Sequence, residues 1–241
     1  MCSRGPSDRN TYSDHLLRSQ VLGGGQYREL IAVGSLFFLL QLAAQLHAGV
    51  DPLIVNELLG PIAVAQFIVV QRPFDLFLVF LLLAMQPLWP AYREAMAVGD
   101  VDWIKKTFRR TLFVSLCIAL CFSLTMLLFG KRLIELWTHH AALPNTRLLE
   151  AYCLSILFSA TQAPIAFLLN GLGSVRVQLI IAAPAILLSI VLKVALLPRM
   201  GLVSVPITTF AIGVALMIPV QVTYIRHLLR SAHTQAPNAR A

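Results

Sequence analysis

Apolar residues in this chain come in long unbroken runs separated by short polar breaks. About 20 such residues are needed to cross a hydrocarbon core about 30 Å thick. Six stretches qualify, at roughly residues 30–50, 62–90, 111–129, 148–172, 177–197 and 202–225. None alternates apolar and polar side chains with period two, so helices are predicted and not the strands of a barrel. The second stretch is interrupted by Pro73 and Pro87 and is expected to tilt or break. The pattern predicts an all-α polytopic transmembrane bundle of about six spans over residues 29–230. A polar N-terminal segment, residues 1–28, and a polar tail, residues 231–241, flank it and are expected to be disordered, with Gly23, Gly24 and Gly25 as a flexible joint.

Composition sharpens this picture. The 241 residues are 58% hydrophobic and only 12% charged, with a mean hydropathy of +0.76. A soluble chain is about 45–50% apolar and roughly 25% charged, so lipid must solvate much of this one. The N-terminal segment has no apolar core of a cleavable signal, and insertion is expected from an internal span. The four cysteines show no metal or redox spacing. No phosphate loop, nucleophile set or metal cluster stands out, so neither an enzyme nor a cofactor is expected. His139 and His140 are adjacent and would point apart on a helix, unlike a helical zinc pair.

The net charge of +8 sits between the apolar runs. It reads as a determinant of orientation, not as a nucleic-acid surface. With the N-terminus inside, most Lys and Arg fall in inside segments. Only Lys131, Arg132, Arg147 and Arg199 fall in outside ones. Both termini are therefore expected in the cytoplasm. The largest inside loop runs from Ala91 to Arg110. Gly99 there fits a helix stop and Asp100 an N-cap, while Lys105, Lys106, Arg109 and Arg110 would face anionic membrane lipid.

Polar residues within the spans are the candidates for function, because an ionisable side chain at membrane depth is costly. Arg72 lies about 15 Å into its span, half the core. Asp75 is three residues on, either neutralising Arg72 or orienting it in a wet cavity. Lys193, about 24 Å along the fifth stretch, is close enough to the outer interface to snorkel. Gln41 and Gln45 form an i, i+4 pair on the first span, and Gln162 and Asn170 lie on the fourth. Such residues line cavities or bond helices together.

One segment carries a resemblance. The run MQPLWPAYREAMAVGDVDWIKKTFRRTL, Met85 to Leu112, resembles a signature of the polysaccharide flippases, with Pro87, Leu88, Trp89, Pro90, Glu94, Gly99 and Asp100 at the matching positions. These are the O-antigen and lipid-linked oligosaccharide exporters of the multidrug/oligosaccharidyl-lipid/polysaccharide superfamily. Gly60 with Arg72, and the turn NGLGSVRVQ from Asn170 to Gln178, are similar to further family segments.

The resemblance implies movement of undecaprenyl-pyrophosphate-linked sugars across a bacterial inner membrane for lipopolysaccharide O-antigen or other surface polysaccharide. Arg72 would meet the anionic headgroup, Asp75 would hold it, and Gln41, Gln45 and Lys193 would be further substrate contacts. The family has two six-helix bundles, and this chain resembles only the C-terminal one. The expectation is a truncated or half transporter, completed by a second six-span half or a second copy. The alternatives are a cation-coupled multidrug exporter of the same superfamily, a non-transporting membrane subunit, and an inactive fragment.

Overall fold

The computed structural model describes residues 24–138 and 145–235. The expected disordered segments lie largely outside these residues, as do His139 and His140. Within them the chain is helical, and no strand occurs. The first helix, α1 (Gly24–Leu59), already includes Gly24 and Gly25, which were expected to form a joint. By contacts the chain divides into Met1–Leu42 and Ala43–Ala241. The described part of the first unit is a helical segment, residues 24–42. The second unit holds the bundle.

Within the bundle, helix boundaries follow local chemistry. Gly60 ends α1 with φ 82°, and Pro61 opens α2 (Pro61–Met85) at a position where its missing N–H costs nothing. Helix α2 runs unbroken through Pro73 and stops at Gln86 and Pro87. A short helix follows, α3 (Leu88–Ala97). The long second stretch thus breaks at Pro87 and not at Pro73. Gly99, with φ 75°, turns the chain. Asp100 then caps α4 (Val101–Trp137), its carboxylate accepting from the Trp103 N–H at 3.0 Å, as the sequence predicted. Asn145 caps α5 (Thr146–Gly171) in the same way.

Helix α6 (Val175–Met200) ends at Gly201, φ 66°. The chain then doubles back through α7 (Ser204–Ile212), which packs against α6. A π turn, Gly213–Met217, leads into α8 (Ile218–Gln235). Pro219 has no N–H to offer the carbonyl of Ala215 one turn back, which accounts for the irregular winding just before it. Gly213 also admits the Phe158 ring to a place a Cβ would occupy. The sixth predicted span is therefore two helices joined by a π turn, and its last helix runs past the expected end of the span at Ile225 and of the bundle at Arg230.

Four described stretches are long and apolar enough to cross a membrane: Pro61–Ala97, Val101–Trp137, Thr146–Gly171 and Val175–Arg230. The last has 56 residues and turns at Gly201, and is long enough for two crossings. Its neighbours present Phe80, Phe113 and Leu128 outward, as a lipid-facing surface requires. The first predicted span falls on α1, only some of whose side chains are described.

Helix α5 is the axis of the bundle. Half of its apolar window (50%) is buried, against 22% for each of the other three stretches. It packs on α2, α3, α4 and α7. Against α4 it meets a stripe of small residues, Ser115, Ala119, Ser123 and Gly130, spaced close to one helical turn and its double. Small side chains let the two backbones approach, and the serines bond across the gap. Ser115 Oγ donates to the Ala160 carbonyl at 2.6 Å, and Ser123 Oγ to that of Cys153 at 3.3 Å.

Two apolar clusters sit at opposite ends of this axis. One joins Val55, Phe67, Phe74, Ile134, Leu149 and Leu197. The other joins Tyr92, Ile104, Leu168 and Ile225. Tyr92 is wholly buried at the second end, where Gly171 closes α5. A Cβ on Gly171 would lie 2.5 Å from the Tyr92 Cβ. The PLWPAYREA segment and the NGLGS turn therefore touch each other directly.

Candidate functional site

Two charged residues of the bundle lie toward the end marked by Gly60 and Gly201. Lys193 lies seven residues before the end of α6, about 10 Å in, and Asp51 eight residues before the end of α1, about 12 Å in. The Lys193 Nζ donates to both carboxylate oxygens of Asp51, at 2.7 and 2.8 Å. The side chains are 0% and 14% exposed. Lys193 thus does not snorkel. A lysine held by both oxygens of one carboxylate is neutralised in place, which removes the drive to reach water. Its partner comes from 142 residues away, so no local spacing announced it.

Asp75 is half-buried on α2. Its carboxylate accepts from the Gln71 Nε2 at 3.4 Å, a long contact. A direct ion pair with Arg72, one of the two readings of that spacing, does not form, since no Arg72–Asp75 approach falls within 4.0 Å, although the guanidinium stays within electrostatic reach of the carboxylate. Positions 71 and 75 share a helix face, whereas Arg72 is turned outward and exposed. Tyr152 of α5 lies within electrostatic reach of both Asp51 and Asp75. Its ring stacks on Phe74 with centroids 5.2 Å apart, and Phe74 in turn meets Phe122 edge-on at 5.5 Å. An aromatic wall from α2, α4 and α5 therefore backs the two carboxylates. Tyr152 was absent from the sequence reading, because a tyrosine in an apolar run gives no signal until a carboxylate is brought to it.

Arg72 itself stands eleven residues into α2, about 16 Å along the helix from Pro61. It is exposed on the bundle surface. Gln41 and Gln45, one turn apart on α1, are exposed as well. Within the bundle, Lys193 is held by Asp51, Asp75 meets Gln71 only at 3.4 Å, and Arg72 is exposed.

Two cavities between the described helices bear on the site. One of about 390 Å³ lies among α2, α5, α6, α7 and the π turn, and Gln162, Ser159, Ser189 and Thr209 give it its polar spots. Among the described residues, the buried Gln162 Oε1 and Ser189 Oγ have no hydrogen-bond partner. Gln162 thus lines a cavity, while the serines of α4 do the bonding between helices. The other, about 880 Å³, lies among α4, α5 and α8 at the opposite end. Among the described residues no three His, Cys, Asp or Glu side chains are placed to hold a metal ion.

Residues 37–195, about two thirds of the chain, match the MatE family. The chain belongs to the MatE family. Its members are membrane transporters of the multidrug/oligosaccharidyl-lipid/polysaccharide superfamily, and this chain is a multi-pass helical membrane protein. The MatE match runs from α1 nearly to the end of α6 and takes in Asp51, Arg72, Asp75, Tyr152 and Lys193. No curated protein and no solved structure matches the chain.

Proposed function

We propose that this MatE-family chain takes part in moving a lipid-linked oligosaccharide across a bacterial inner membrane, for surface polysaccharide synthesis. It acts as one bundle of a two-bundle transporter, beside a second six-span half or a second copy, with both termini in the cytoplasm. Arg72 carries this reading. An arginine at the middle of a span costs about 2.5–3.5 kcal/mol or more if it faces lipid. Exposed as it is on α2, Arg72 fits a face turned toward water or a second bundle. A cation on the wall of a wet path suits an anionic headgroup such as a pyrophosphate. The similarity of the PLWPAYREA segment to polysaccharide flippases points the same way.

A second reading, a cation-coupled multidrug exporter, draws on the carboxylates of Asp51 and Asp75 inside the bundle. It is the weaker of the two because Lys193 already occupies both oxygens of Asp51. A deletion strain tests the pair. Loss of surface glycan, restored by the wild-type gene, supports the first. Normal glycan with heightened drug sensitivity supports the second.

A further inference from the structure

The smaller cavity holds two polar atoms that the packing of the bundle leaves over. Its four polar side chains are of two kinds. Ser159 Oγ donates to the Ser155 carbonyl at 3.2 Å and Thr209 Oγ1 to that of Val205 at 3.1 Å, each within its own helix. Ser189 and Gln162 differ. Ser189 is only 3% exposed, and neither its Oγ nor the buried Gln162 Oε1 has a hydrogen-bond partner among the described residues. A native fold rarely leaves such atoms uncompensated. They come from two helices, α5 and α6, and each residue lies more than about 13 Å along its helix from either end.

The rest of the lining decides what could compensate them. The cavity measures about 390 Å³, within the range of about 300–1,000 Å³ usual for small-molecule sites. None of its described lining residues is charged, so an ion finds no counter-charge there. Apart from the four polar side chains the wall is apolar, with Leu78 and Leu82 of α2 and Phe158 of α5 in it. A water needs two to four polar partners, which most of this wall does not offer. A bare alkyl chain would fill the space and leave both polar atoms unpaired. A neutral amphiphile satisfies both parts, because a hydroxyl can donate to the Gln162 Oε1 or accept from the Ser189 Oγ. The π turn also forms part of the wall, through Gly213 and Met217. Single π turns inside helices are frequent at functional sites.

We propose that the cavity among α2, α5, α6 and α7 binds an uncharged amphiphile of the fatty-alcohol class. Its hydroxyl lies at Gln162 and Ser189, and its chain runs out past the exposed Leu82. The occupant braces the π turn that joins α7 to α8. None of Arg72, Asp75, Gln41, Gln45 and Lys193 lines the cavity, so the site stands under either transport reading.

The purified chain is reconstituted in phosphatidylcholine vesicles and irradiated with a diazirine-bearing hexadecanol, and the label is located by peptide mass spectrometry. Labelling of α5 and α6 around Gln162 and Ser189 should saturate, and excess plain hexadecanol should compete it away while hexadecane does not. A diazirine-bearing hexadecylammonium should label these segments far less. Gln162→Leu with Ser189→Ala should weaken the labelling by about thirtyfold, the effect of two lost hydrogen bonds. That variant removes unpaired polar atoms, so it should fold at least as stably as the wild type without ligand. Hexadecanol should then raise the unfolding midpoint of the wild type and not of the variant. Ala182→Phe, at a half-buried lining position, keeps both polar groups and should also abolish labelling. Thr125→Val, on the exposed face of α4, should leave it unchanged.

Labelling that does not saturate, or that Ala182→Phe leaves intact, overturns the proposal. Equal labelling by the ammonium analogue would mean a site for cationic compounds and overturns it too. Full labelling of the Gln162 and Ser189 variant would assign the two polar atoms to water and the cavity to any alkyl chain, against the proposal.

Discussion

Lys193 and Asp51 meet through both carboxylate oxygens, 2.7 and 2.8 Å from one ammonium, although 142 residues separate them in the chain. The pair joins α1 to α6 beside Val55 and Leu197, which belong to one apolar cluster. Removing one member leaves the other charged and buried. Lys193→Met or Asp51→Leu alone should therefore cost about 3–5 kcal/mol. The double variant should recover most of that loss, because two apolar side chains then face each other. Thermal unfolding of the four proteins in detergent gives the coupling. A double variant as unstable as the sum of the singles would mean that the pair contributes nothing as a pair.

The fold was largely legible because membrane spans are written as continuous apolar runs, and the Asp100 cap and Gly99 stop are local signals. Some of what it did not show is non-local. Lys193 looked able to snorkel because its partner sits on another helix, and the serine stripe of α4 became meaningful only once α5 lay against it. Arg72 and Asp75 looked paired on spacing alone, yet the i, i+4 position gave Asp75 to Gln71. The break of the second stretch fell at Pro87 because a prolyl ring within a continuous helix, as at Pro73, loses only one hydrogen bond, which neighbouring helices can tolerate.

Ser115 should report on how close α4 and α5 approach. Its hydroxyl reaches the Ala160 carbonyl at 2.6 Å and is fully buried. Ser115→Ala should cost about 0.5–1.5 kcal/mol, the net worth of one such bond. Ser115→Leu should cost more, since the added carbons press the helices apart by the overpacking penalty of about 1–3 kcal/mol. If unfolding midpoints showed Leu better tolerated than Ala, the close approach of the two helices would be in error.

Arg72 separates function from stability. Because it is exposed and makes no ion pair within 4.0 Å among the described residues, Arg72→Ala should shift thermal stability by no more than about 0.5 kcal/mol. Surface glycan export in a complemented deletion strain should nevertheless fall at least about tenfold, the effect of roughly 1.4 kcal/mol. Arg72→Lys should restore part of it, by keeping the charge while losing the planar fork. Unchanged export with Arg72→Ala would remove Arg72 from the transport path.

Glycine-to-alanine substitutions should act with opposite sign at two positions. At Gly171 a Cβ would stand 2.5 Å from that of Tyr92 and 3.1 Å from the Trp89 carbonyl. Neither neighbour is the free end of a flexible side chain, so α3 would have to move. Gly171→Ala should cost about 1–3 kcal/mol and shift the emission of Trp89 and of Trp103, whose ring lies 6.0 Å from that of Tyr92. Gly49, inside α1, has nothing within 4 Å of its Cβ position. There alanine meets no obstacle and gains the helix preference of about 0.8–1 kcal/mol over glycine. Unfolding midpoints that moved the same way for both would mean that Gly171 serves only to end α5, and that the contact between the PLWPAYREA segment and the NGLGS turn does not hold the bundle together.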